Sequence, residues 1–244
     1  MTRQIIRLTG EDRIEFLQGL VTNDISRGAC WAALLTPQGK YLADFLVIPQ
    51  DDALLLDVDA GLADDLMRRL SMYKLRSKVT LEAIDMPVAR GTGPAAEGAI
   101  ADPRHDALGW RHYGATGDDG TDWDAIRVTH CIPESLIELI PNDTFILEAG
   151  FERLHGVDFR KGCYVGQEVT ARMKHKTELR KGLTVLAIDG QAPVGTKIVS
   201  DGREVGTLFT QSGGKAIAHV RFDRLAEGMQ ADTARLSPLR VGSE

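Results

Sequence analysis

The chain has 244 residues, 43% of them hydrophobic and 26% charged, which is enough apolar material for a substantial buried core and excludes a disordered polymer. Its net charge of −6 argues against a general nucleic-acid binder, and no apolar run reaches the ~18 residues of a membrane-spanning helix. Cys30, Cys131 and Cys163 are too far apart for a disulfide framework or a paired metal motif, and the first residues hold no signal-peptide core, so a cytoplasmic protein with reduced thiols is expected.

In chain order, Gln4 to Leu8 reads as a strand. Thr9-Gly10-Glu11-Asp12 then supplies a hydroxyl cap with an acid three residues on, which predicts a helix burying Ile14, Leu17, Leu20 and Val21, with Phe16 at its margin. Trp31 to Leu35 and Tyr41 to Ile48 are apolar runs joined by Pro37-Gln38-Gly39, the chemistry of a β-hairpin turn, and Asp44 sits inside the second run. Leu54 to Val58 predicts another strand, Leu62, Leu66 and Leu70 mark a second helix, and Lys78 to Ile84 alternates with Val79, Leu81 and Ala83 on one side. This order, β-α-β-β-(β)-α-β, is a split βαβ, ferredoxin-like α+β domain over residues 1–88.

From Met86 to about Gly120 the pattern loosens around one short aromatic strand at Trp110. Thr121 with Asp124 predicts the cap of a helix carrying Trp123, Ile126 and Cys131, inside a second α/β domain over 89–181. Beyond Gly182, Leu183 to Ile188, Lys197 to Ser200, Val205 to Thr210 and Ala216 to Arg221 are short strands punctuated by glycines, which predicts a small β-barrel over 182–244. Trp31, Trp110 and Trp123 read as core anchors, and His155, His175 and His219 lack metal-ligand spacing.

The second domain ends in Lys161-Gly162-Cys163-Tyr164-Val165-Gly166-Gln167-Glu168. A thiol among glycines and cations is accessible and, with its pKa lowered by positive neighbours, reactive. The segment from Arg153 to Lys181 holds eight Lys or Arg against three acids, which suggests an anionic ligand or partner on an otherwise acidic protein. A small buried cysteine and a solvated charged face are the plain alternatives.

This motif resembles the K-G-C-Y-x-G-Q-E signature of YgfZ-type folate-binding proteins, relatives of the glycine-cleavage T protein whose mitochondrial counterparts serve iron-sulfur cluster assembly. Gly10-Glu11-Asp12-Arg13 to Asn23-Asp24 is similar to that family's first helix, and Ser200-Asp201-Gly202 with Val205-Gly206 to its barrel turn, so the likeness covers nearly the whole chain. It implies two α/β domains and a barrel arranged as a ring around a tetrahydrofolate pocket. Gly39-Lys40-Tyr41-Leu42-Ala43-Asp44-Phe45 stands where T proteins carry G-G-x-x-D-D-L; Asp44 keeps the carboxylate near the folate nitrogens, whereas Ala43 and Lys40 depart.

What the resemblance implies is a folate-binding protein that assists assembly or repair of iron-sulfur clusters in other enzymes, tRNA-modifying ones included. Cys163 and Asp44 are the candidate reacting residues. Asp44, Tyr164, Gln167, Glu168, Arg172 and Lys174 are the candidate folate contacts: Tyr164 would stack on the ligand or pack against the loop, Gln167 and Glu168 would read a pterin edge or hold the loop, and Arg172, Lys174 and Lys176, sharing a face in an extended segment, would meet the glutamate tail. No resident metal is expected, because one thiolate falls short of the four ligands a cluster usually takes. Two rivals stand beside this reading: a folate-dependent aminomethyl or other one-carbon transferase using Asp44, and a tRNA-binding module using the basic segment, which contains no recognised RNA-binding motif.

Overall fold

The computed structural model describes residues 2–176 and 178–239, and the side chain of Lys176, part of the expected basic face, lies outside that description. The chain divides into two compact units: Met1–Thr121, Ile140–Ile146 and Phe151–Arg172 form the first, and Asp122–Leu139, Leu147–Gly150 and Met173–Glu244 the second.

In the first unit, β1 (Arg3–Thr9), β2 (Cys30–Leu35), β3 (Tyr41–Pro49), β4 (Ala53–Asp59) and β5 (Thr80–Ile84) make one sheet in the order β2-β3-β4-β1-β5, every pairing antiparallel. Because β4 lies between β1 and β3, and β1 between β4 and β5, the crossovers are split, as the sequence order predicts, with β2 added at the edge. Helix α2 (Ala60–Lys74) presents Leu62, Leu66 and Leu70 at helical spacing and packs them on the sheet; Asp59 caps it by accepting from the Gly61 N–H at 2.8 Å. Every residue of β3 from Tyr41 to Ile48 is buried, so this strand is covered on both faces.

Helix α1 (Arg13–Gln18) is shorter than its pattern suggests and is preceded by Asp12, with no side-chain cap. Phe16 and Leu17 form its buried face, while Ile14 is 38% exposed; Leu20 and Val21 are buried in the turn that follows, where helical periodicity no longer applies. At the sheet edge, Ala83 is exposed and Leu81 and Ile84 are only half-buried, so the alternation expected there buries little. The loosened region contains a second sheet, β6 (Val88–Gly91), β7 (Ile100–Ala101) and β8 (Trp110–Tyr113), in the order β6-β8-β7.

In the second unit, α3 (Trp123–His130) is capped by Asp122, whose side chain accepts from the Ala125 N–H at 3.0 Å; Thr121 is not the cap. Val128 of α3 packs with Phe209 and Ile217, and Cys131 lies against that cluster. The strands β9 (Lys181–Asp189), β10 (Lys197–Ser200), β11 (Arg203–Ser212), β12 (Lys215–Arg221), β13 (Met229–Ala231) and β14 (Ala234–Pro238) close into a barrel in the order β10-β11-β12-β9-β14-β13. Closure leaves no free edge, and Leu186, Ile198, Leu208, Val220 and Leu236 fill the interior.

Candidate functional site

Asp44 is the first point of chemistry on the hairpin. It is 5% exposed, its Oδ2 accepts from Trp31 Nε1 at 2.8 Å, and its Oδ1 accepts from the Tyr41 hydroxyl at 2.6 Å. Tyr41 and Asp44 are separated by an odd number of positions and would face opposite ways on a regular strand. The register between β2 and β3 slips at Leu42, where Leu35 pairs with Tyr41 but Leu34 with Ala43; this bulge turns the two side chains toward each other. Trp31 is stacked on Phe151, ring centroids 3.9 Å apart, and the Arg104 guanidinium lies 6.0 Å from its ring. Asp44 therefore sits inside the sheet among protein donors.

The cysteine loop lies against the turn of the same hairpin. Gly39 has φ +75° and Gly166 φ +83°, a left-handed region that favours glycine. A Cβ on Gly166 would sit 2.6 Å from the Thr36 carbonyl oxygen and 3.2 Å from the Gly39 Cα, while one on Gly39 would meet the Val169 Cβ at 2.9 Å. Gly166 thus lies against hairpin backbone and Gly39 against the Val169 side chain and the Gly166 carbonyl, which is why both positions are glycine. Gly162 has nothing within 4 Å of its would-be Cβ, and its freedom is not used for close packing.

Cys163 is exposed on this loop. The cation before it points elsewhere: Lys161 is buried, donates to the Gln18 carbonyl at 2.7 Å and to that of Val21, and lies 5.2 Å from the centre of the Tyr164 ring. Tyr164 is also buried, so it packs within the loop; burial raises its phenol to about 12, with Thr170 opposing. Gln167 opens helix α4 (Gln167–Lys176) half-exposed, and Glu168 is exposed in the first turn, where the helix dipole favours an acid. Arg172 and Lys174 are exposed on this helix. At 3.6 residues per turn, positions two apart do not share a face, so the single cationic face expected of an extended segment is not formed.

Two anchors were not foreseen. Thr22 donates to the Gly156 carbonyl at 2.7 Å and accepts from the Ala33 N–H at 2.9 Å, and Asn23 donates to the carbonyls of Trp31 at 2.7 Å and His155 at 2.6 Å. Together they tie the approach to the cysteine loop to the hairpin. The second is a buried charge network: Asp57 holds Arg3, Arg111 and the Tyr113 hydroxyl, and Asp102 holds Arg104 and Arg111. Burial by itself would raise both carboxyls, but the arginines outweigh it and hold them below the usual range. The signal available in sequence was an aspartate inside the run Leu54-Leu55-Leu56-Asp57-Val58.

Comparison with known proteins adds family to geometry. Residues 180–242 match the model of the CAF17 C-terminal beta-barrel domain, the stretch that holds β9 to β14. The fold is similar to a crystal structure of the glycine cleavage system aminomethyltransferase T from Bartonella henselae, with a TM-score of 0.73 over 97% of this chain and 83% of that one, at 13% sequence identity.

In sequence, the chain is 32% identical to the mitochondrial iron-sulfur cluster assembly factor IBA57 of Mus musculus, over 95% of this chain and 79% of the mouse protein. The homologue from Neurospora crassa is 32% identical over 82% of this chain but only 55% of its own length, so the chain spans about half of some relatives. The human protein is 29% identical over 88% of this chain and 74% of its own. All three are named as mitochondrial, which overturns the cytoplasmic placement expected from composition and the first residues; neither carries an address by itself. The mixed α/β units, the closed barrel and a 32% identity to the mouse protein over 95% of this chain place it in the family of the iron-sulfur cluster assembly factor IBA57.

Proposed function

We propose that the chain assists assembly or repair of iron-sulfur clusters in other enzymes, tRNA-modifying enzymes among them, with tetrahydrofolate as its cofactor and Cys163 as the acting thiol. The observation that carries this is an exposed cysteine on a loop whose backbone is locked to the hairpin bearing Asp44, in a chain whose relatives are named iron-sulfur cluster assembly factors. The cluster is cargo and the partners are its client or assembly proteins, because a lone thiol falls short of the usual four ligands.

Tetrahydrofolate suits the donors present in part. Asp44 is the carboxylate that would meet a pterin N–H, and Trp31 and Tyr41 are among the donors that orient it. Gln167 and Glu168 at the start of α4 offer an amide and an acid, and Arg172 and Lys174 offer cations for a glutamate tail. Tyr164 is committed to the loop and is not counted among the contacts.

The test is complementation of a strain lacking this protein by wild type, Cys163→Ala or Asp44→Ala, scored by the activity of an iron-sulfur enzyme. Loss with Cys163→Ala is expected; full activity would remove the thiol from the proposal. The rival aminomethyl transferase reading has Asp44 working beside the folate amine. Turnover of an aminomethylated lipoyl carrier with tetrahydrofolate by the purified protein would overturn the assembly-factor reading.

A further inference from the structure

A lysine ordinarily keeps its ammonium in water, because burying that charge is costly. Lys161 does not: it is 7% exposed. Its Nζ donates to the carbonyls of Gln18, the last residue of α1, and Val21, in the turn that follows. Helix ends leave carbonyls without N–H partners, and a cation is the side chain best suited to meet them. This cation arrives from a distant part of the sequence. Burial draws its amine down to about 8; Asp24, Cys30 and Asp158 are the titratable groups facing it, and Arg27 is paired with both aspartates.

A buried ammonium between two carbonyls gives the loop a direction that an apolar side chain would not, since hydrogen bonds fix orientation and dispersion contacts do not. Immediately beyond it come Gly162, exposed and with nothing within 4 Å, and the exposed Cys163. Neither fixes the path of the backbone. The next buried side chain is Tyr164, whose ring faces the same ammonium. The two exposed residues thus form a short arch with one buried foot on each side, and Lys161 is the foot with hydrogen bonds to another element.

We infer that Lys161 is a positioning residue for Cys163: docked on the carbonyl end of α1, its ammonium holds the loop in the conformation that leaves the thiol exposed. This rests on the reading of Cys163 as the acting thiol. Lys161 never touches the partner of that thiol; it acts through the loop.

The test uses the full chain and two variants, Lys161→Met, which keeps the length without the charge, and Lys161→Arg, which keeps a cationic donor. Trypsin cleavage after Arg160, present in all three proteins, reports loop release. It is expected to be at least tenfold faster in Lys161→Met and near the wild-type rate in Lys161→Arg, with cleavage elsewhere in the first unit unchanged. In the complementation assay, Lys161→Met is expected to lose as much activity as Cys163→Ala, the double variant to be no worse than either, and Lys161→Arg to retain activity. Non-additivity of that kind marks a residue acting through the thiol; a merely structural lysine would give additive losses. An unchanged cleavage rate in Lys161→Met, cleavage that speeds up throughout the unit, or an additive double variant overturns the inference. A fully active Cys163→Ala overturns the thiol reading instead, while cleavage after Arg160 still reports the anchor.

Discussion

The Tyr41 hydroxyl donates to Asp44 Oδ1 at 2.6 Å along a single strand, and only the bulge at Leu42 makes that contact possible. A buried carboxylate that loses a donor keeps its desolvation cost without compensation. Tyr41→Phe is therefore expected to destabilise the protein by about 1–3 kcal/mol in urea unfolding. An unchanged midpoint would mean that the Tyr41 hydroxyl is not needed to hold Asp44.

The network around Asp57 and Asp102 predicts an acid limb in stability. Both carboxyls are held lower in the folded chain than in the unfolded one, so their contribution is complete above the ordinary carboxylate range and is lost as pH falls through their folded values. Asp102→Asn leaves Arg104 and Arg111 short of a buried counter-charge and is expected to cost about 3–5 kcal/mol at neutral pH. It should also flatten the fall in stability below about pH 4. Thermal unfolding across pH 2 to 7 separates the two effects, and a variant with the wild-type acid limb would remove Asp102 from this account.

The two glycines of the cysteine loop should respond differently to the same change. Gly166→Ala places a Cβ 2.6 Å from a backbone oxygen at a φ of +83° and is expected to destabilise by about 2 kcal/mol. Gly162→Ala meets nothing within 4 Å and is expected to fall within about 0.5 kcal/mol of wild type. Equal losses from the two substitutions would contradict the backbone contact between Gly39 and Gly166.

Lys161 adds a signature at the alkaline end. Its amine titrates near 8 in the folded chain against the ordinary 10.5, chiefly through burial. Between those values the unfolded chain binds more protons, so stability is expected to rise with pH across that window, and the gain to be lost as pH falls through about 8. Lys161→Met should remove the slope. Urea midpoints at pH 7.5, 9 and 10 provide the measurement, and a slope that persists in the variant would assign it to another group.

Much of the first sheet was legible because its cues are local. Pro37-Gln38-Gly39 between two apolar runs marks a hairpin, and Leu62, Leu66 and Leu70 mark one face of α2. The thiol motif was equally plain, and Cys163 is exposed as expected. What escaped depends on contacts remote in sequence. Nothing near Lys161 indicates that its ammonium belongs to α1, and alternation around Asp44 cannot register a one-residue bulge. Strands β13 and β14 contain no β-branched residue apart from their turn, so the usual strand signal is absent; barrel closure supplies what propensity does not. The shared face expected of Arg172 and Lys174 fails because it supposes an extended segment where the chain is helical.

The contact between Gly39 and Gly166 also orders events in time. A hairpin turn forms from neighbouring residues within microseconds, whereas the loop that must seat on it belongs to a much later part of the chain and waits for long-range closure. An ordered thiol is thus among the last things this unit acquires, and a half-made chain would carry Cys163 on a loop without a fixed path.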